Sequence, residues 1–152
     1  MSTKVYNADE VTVLLGGSVI DSGYADGEFL SIEMMSDQVQ SVAGTDGEVA
    51  VSRIRDRRAN AVLKLLSTST GNDILSAKFN QVMNGIGSPS IGSFYVRDRN
   101  GRAIYEAQNC WITKPPDVSF DRSVTPREWH LSVDFLERQD GGNNDAQGFV
   151  TP

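Results

Sequence analysis

The side chains able to do acid–base, nucleophilic or metal chemistry are few and dispersed. His130 is the single imidazole, so a histidine triad or metal site would have to be built around it alone. No HxxxH, CxxC or GxSxG spacing supports it. Beside Trp129 on an alternating segment, it reads as a surface or interface residue rather than a base. Cys110, the single cysteine, adjoins Trp111 in a strand-like stretch where a buried inert thiol is the default. Gly85 and Gly87 are not a phosphate loop, because no Gly-Lys-Ser/Thr follows and the helical pattern precedes them. Asp37, Asp46 and Glu48 lack the dense oxygen-ligand spacing of a calcium loop. The expectation is a protein with no catalytic residue, no cofactor and no metal. A small soluble enzyme or binding module using Cys110 or His130 is the alternative from another class.

One charged constellation stands out: Arg53, Arg55, Arg57 and Arg58, interrupted by Asp56. As a phosphate grip it lacks interleaved aromatic residues for base stacking, and the whole chain of 152 residues has a formal net charge of −6. That charge points away from an autonomous nucleic-acid binder, whose affinity comes from basic side chains. Split along the chain, residues 1 to 50 carry nine acidic groups and Lys4, a balance of −8, and the remainder has a balance of +2. Acidic and basic patches on one module suit contact between identical copies through Arg–carboxylate pairs, and a solvated surface is the competing reading. With one cysteine there is no intrachain disulfide, which is compatible with a reducing compartment. No apolar run approaches the ~20 residues of a membrane-spanning helix. Asp9 and Glu10 stand where a signal peptide would be basic then apolar, so a protein that stays where it is made is expected.

The elements that must position these residues are mostly strands. A chain of this length buries ~70% of its unfolded surface as one domain. Val11, Val13 and Leu15 alternate with Thr12 and Leu14, and Leu30, Ile32 and Met34 with Ser31 and Glu33. Between them Gly16, Gly17, Gly23 and Gly27 mark a turn-rich stretch. Val39 to Ala43 and Glu48 to Ile54 flank Gly44-Thr45-Asp46-Gly47, a hairpin with the arginines at its base. Ala61, Leu63 and Leu65 define a further strand. Ile74, Leu75, Lys78, Phe79, Val82 and Met83 form one helical stripe, started by Thr70 or Asn72 as N-cap and Asp73, and stopped at Asn84-Gly85. Phe94 to Asp98 and Ala103 to Ile112 flank Asn100-Gly101, a type I′ turn signal. Trp129, Leu131, Val133 and Phe135 share one face of the last strand, with His130, Ser132 and Asp134 on the other. The prediction is an antiparallel β-sandwich or barrel of about seven to nine strands over residues 1–138, with one flanking α-helix and a long protruding hairpin. Residues 139–152, rich in Gly, Asn and Asp, are expected to be a flexible or assembly-ordered tail.

Two stretches carry a resemblance. Thr45 to Ala77, TDGEVAVSRIRDRRANAVLKLLSTSTGNDILSA with Gly44 in front, resembles the tail tube proteins of contractile-tailed bacteriophages. The shared order is an acidic-glycine hairpin tip, a Ser, a charged turn, an alternating strand, and a helix start with Thr68-Ser69, Asn72 and Leu75-Ser76. Val96 to Glu137, VRDRNGRAIYEAQNCWITKPPDVSFDRSVTPREWHLSVDFLE, is similar to the same families' closing half. There an Asn-Gly hairpin, a Lys114-Pro115-Pro116-Asp117 strand break and an Arg127-Glu128-Trp129 strand follow in order. The resembling region runs from Gly44 to Glu137, and the first third agrees in outline.

The resemblance implies a β-sandwich or barrel with a flanking helix, assembled as hexameric rings stacked into a tube around a lumen. Its partners would be further copies of itself, a tail sheath protein, a baseplate or tube initiator, a tail terminator, a tape measure protein, and DNA passed without sequence-specific binding. It would reside in the virion tail after assembly in the host cytoplasm. The hairpin Gln38 to Ile54 would be the arm reaching the adjacent ring. The assembly residues expected on it and at its base are Val39, Val42, Asp46, Glu48, Val51, Arg53, Arg55, Arg57 and Arg58, at inter-subunit contacts rather than on the lumen wall. An acidic or polar lumen, expected from the first 50 residues, would keep sliding DNA from adhering. The tube of a tailocin or contractile secretion machine is the rival within the same architecture.

Overall fold

The computed structural model describes residues 11–20, 23–85, 87–99 and 101–141. These form ten antiparallel strands and one helix. β1 (Val11–Leu15) and β2 (Ser18–Ile20) make a tight hairpin through Gly16 and Gly17, with φ of 58° and 84°. Two consecutive positive φ angles match the twist of paired strands, which is why glycine occupies both places. β3 (Leu30–Met34) leads to β4 (Val39–Ala43), β5 (Val49–Arg53) and β6 (Ala59–Leu66). Helix α1 (Gly71–Asn84) follows, then β7 (Gly92–Asp98), β8 (Ile104–Lys114), β9 (Pro126–Val133) and β10 (Glu137–Gln139).

The main sheet runs β2-β1-β7-β8-β9-β6-β3, with β10 also on β8, and β4–β5 form a separate two-stranded ribbon. Long β8 joins the two halves of the fold. Ile104 to Glu106 lie between β7 and β10, while Cys110 to Lys114 pair with β9. Register shifts near Gly92 and near Ile112 let the sheet turn its inner face onto itself, since a bulge bends a strand and increases its twist. The inward residues of β1, β6, β7 and β9 then meet in one core that includes Val13, Leu15, Leu63, Leu65, Phe94, Trp129 and Leu131.

Period-two burial follows the expected alternation on β1 and β6. On β9 it departs in two places. Ser132, expected on the polar face, is buried, donating to Asn60 Oδ1 at 2.8 Å and paired with Thr113 Oγ1 at 3.1 Å. Phe135, expected beside Trp129, Leu131 and Val133, is 50% exposed, and Leu136 is buried instead. The strand ends at Val133, and Asp134, whose carboxylate accepts from Phe135 N at 2.7 Å and from Asn109 Nδ2 at 2.9 Å, shifts the alternation by one.

Helix α1 is anchored by its first turn. Gly71 packs so closely that a Cβ there would sit 2.9 Å from Leu65 and 3.0 Å from Ile20. Buried Asn72 accepts from Trp129 Nε1 at 2.9 Å and donates to the Leu66 carbonyl at 2.8 Å. Asn72 is thus a core anchor rather than an N-cap. Thr70 makes no side-chain capping bond, and Ser69 Oγ instead accepts from Gly71 N at 3.1 Å. Of the expected apolar stripe Leu75 is buried, Ile74, Phe79 and Val82 are half-buried and Met83 is exposed.

β2 and β10 are three-residue strands that raise the strand number above the expected nine. β10 and Asp140 extend ordered pairing past position 138. Tyr105 donates to Asp140 at 2.6 Å, and Arg138 forms an ion pair with Asp140 at 2.8 Å. The expected mobile tail from position 142 onward, the absence of a signal peptide in Met1 to Glu10, and the role of Asn100 lie outside the described residues.

Candidate assembly surface

The ribbon β4–β5 pairs only with itself among the described strands, and every residue of both strands is exposed. Its loop is closed by Gly44 N donating to the Glu48 carbonyl at 2.7 Å and by Gly47 N donating to the Gly44 carbonyl at 3.0 Å. Gly47 has φ 88°, a left-handed position that favours glycine. Asp46 Oδ1 accepts from Glu48 N at 3.1 Å, so the acidic tip is internally braced.

Directly opposed residues share a face of an antiparallel pair. Val39 opposite Arg53, Ser41 opposite Val51, and Ala43 opposite Val49 therefore make one face, while Val42 opposite Ala50 and Gln40 opposite Ser52 make the other. Val39 and Val49 are 61% exposed, Val51 67% and Val42 70%. The apolar face has a member, Val49, absent from the expected set, although its period-two relation to Val51 could have revealed it.

At the ribbon's root the sheet ladder gives way to a side-chain clasp. Ser36 Oγ donates to Asp56 Oδ2 at 2.8 Å, and Arg58 Nε and Nη2 each reach the same carboxylate at 2.9 Å. Gln38 Nε2 donates to the Asp56 carbonyl at 2.7 Å and to that of Ser36 at 2.9 Å. The Arg58 side-chain hydrogen bonds, then those from Ser36 and from Arg58 N, hold the Asp56 carboxyl well below the usual carboxylate range. Asp56, first noted as an interruption among arginines, is the centre of the junction.

The four arginines divide. Arg58 is spent on Asp56. Arg57 Nε donates to the Leu136 carbonyl at 3.0 Å, Leu136 N returns a bond to the Arg57 carbonyl at 2.9 Å, and the guanidinium lies 5.0 Å from the Phe135 ring centroid. Arg53 and Arg55 are exposed with no ion pair among the described residues. Two of the four are therefore bonded within this chain, and two have no ion pair among the described residues.

The chemical candidates lie apart from this surface. Burial, and then the Asp134 charge, push the Cys110 thiol up to about 12, which keeps it protonated and poorly nucleophilic. His130 is on the outward face of β9, its Nε2 3.9 Å from Glu128.

Residues 3–140 match the family model of the bacteriophage PhiTE tail tube protein. The chain belongs to that tail tube family. It is a structural protein by membership, and Structural protein ORF10 of Pseudomonas phage KPP10 is 23% identical over 146 residues, covering 93% of this chain and 84% of that protein. Solved structures share the fold. The cap that terminates the anti-feeding prophage tube gives a TM-score of 0.58 at 11% identity, covering 91% of this chain and 93% of that one. The sheath-tube complex of an extracellular contractile injection system in its extended state gives 0.54 at 13%, covering 89% and 91%. The sheath/tube terminator of that kind of system gives 0.53 at 15%, covering 88% and 96%.

Proposed function

We propose that this tail tube protein polymerises as hexameric rings stacked into the inner tube of a contractile phage tail, the conduit for genome ejection. The observation that carries the reading is the ribbon. An isolated two-stranded hairpin is marginal in water, yet this one holds four exposed valines away from its own core. A neighbouring copy that covers them gives the ribbon its stability and the assembly its adhesion. Ribbon and receiving surface differ, so the contact is heterologous and repeats from copy to copy.

Further copies are the first partner in this reading. A tail sheath protein, a baseplate or tube initiator, a tail terminator, and a tape measure protein with DNA in the lumen are the others. Assembly takes place in the host cytoplasm and the product resides in the virion tail. The lumen wall is acidic or polar, and the ribbon and its root lie at inter-subunit contacts. The contractile injection systems among the structural neighbours favour a second reading, a tube that carries no genome; capsid genes beside this gene would decide for the phage.

Negative-stain microscopy of the purified full chain is expected to show hollow tubes or six-fold rings. Monodisperse globular particles at high concentration would overturn the tube reading.

A further inference from the structure

We propose that the ribbon of one copy docks on the outward β7–β8–β10 face of another, with Arg53 and Arg55 seated against Glu106, Asp134 and Glu137. The proposal rests on the tube reading and names the partner surface of the ribbon.

The receiving face is defined by an unusual pairing. Glu106 and Glu137 stand directly opposite each other across β8 and β10, both exposed. Like charges in that arrangement repel and destabilise a sheet. Asp134 adds a third carboxylate to the same cleft, and none of the three has an ion-pair partner among the described residues. The cleft, of about 480 Å³, also contains Tyr95 and the half-exposed Phe135. Acidity alone would not select an occupant. The charge sequence along the face does: beyond the Glu106 row comes exposed Arg97, and then the turn that carries Arg99 and Arg102.

The ribbon bears the opposite order. Arg55 and Arg53 lie at its root, valines along its middle, and Glu48 and Asp46 at its tip. At about 3.4 Å per residue, Arg53 to Glu48 spans about 17 Å along the ribbon, and the Glu106 row at Tyr95 to Arg99 about 14 Å along β7. Laid together, the basic root and the adjoining Val51 meet the acidic cleft with its Tyr95 and Phe135, and the acidic tip meets the arginine end. Unlike patches matched at both ends fix register as well as attraction. The occupant is a second copy, since the ribbon's own valines are exposed and so do not rest on its own chain.

The test uses full-length chains. Glu106→Lys with Glu137→Lys, and separately Arg53→Glu with Arg55→Glu, are each expected to lower tube yield about tenfold or more while circular dichroism stays native. The four changes combined are expected to restore most of the yield. Normal tubes from the Glu106/Glu137 variant, or no recovery in the fourfold variant, would overturn the docking. If deleting residues 40–52 abolishes tubes while the Glu106/Glu137 reversal does not, the tube reading stands and this receptor is wrong. A second readout does not need tubes. In a Cys110→Ala background, Arg55→Cys mixed with Glu137→Cys is expected to give an oxidised inter-chain dimer. A band no stronger than that with Glu33→Cys as partner would refute the contact.

Discussion

The sandwich core and the ribbon are written in the same alternating code and come to opposite fates. On β6 the residues Ala59, Ala61, Leu63 and Leu65 alternate with polar or half-buried neighbours, and all four are buried between β3, β9 and the opposing strands. On β5, Val49 and Val51 alternate with Ala50 and Ser52, and all four are exposed. Local pattern is the same; the number of paired neighbours differs. A period-two stripe declares that one face will be covered, and leaves open whether the cover comes from the same chain.

The largest effect should come from the core. Leu63→Ala removes a fully buried side chain, and about 2–5 kcal/mol of unfolding free energy should be lost in a urea titration. Less is expected at the helix anchor. Asn72→Ala leaves the Trp129 indole N–H without its acceptor at a buried site, and about 1–3 kcal/mol should be lost, with hydrogen exchange of α1 rising first. Val42→Ser with Val51→Ser should change stability of the unassembled chain by no more than about 0.5 kcal/mol, because both are already exposed. The same pair should sharply reduce self-association in sedimentation velocity. Equal losses of stability in core and ribbon would erase the contrast.

What was legible followed from local period. The alternation of β1, β6 and the first half of β9, the ribbon and its Gly47 turn, and the helix span are all readable from residue types. Legibility failed wherever a side-chain hydrogen bond redirected the chain. Asp134, bonded to Asn109 and to Phe135 N, ends the alternation and exchanges Phe135 for Leu136. Asn72 looks like a cap, but its amide is claimed by a tryptophan 57 positions away. The arginine cluster was visible as charge. Its division into Arg57 and Arg58, held in-chain, and Arg53 and Arg55, left exposed, depends on the neighbouring Asp56 carboxylate, two positions from Arg58, and on the Leu136 carbonyl, which only the fold brings to Arg57.

Asp56 lies at the junction of the two regions and offers the most local way to separate them. Its clasp holds the ribbon's direction without adding to the core, so Asp56→Asn should leave the core transition in place. Amide exchange across Val39–Arg53 should rise, since Ser36 and Arg58 lose the charged acceptor that orders the root. Acid supplies the reversible counterpart. The carboxyl is depressed in the folded chain, so the clasp contributes fully above the ordinary aspartate value of about 3.9. That contribution falls as pH drops through the lower folded value. Ribbon exchange, corrected for intrinsic rates, should therefore be unchanged from neutral pH down to about 4 and rise in stronger acid. If it rises at mildly acidic pH in the wild type, or if Asp56→Asn leaves it unchanged, the ribbon is oriented by its backbone alone and the clasp is incidental.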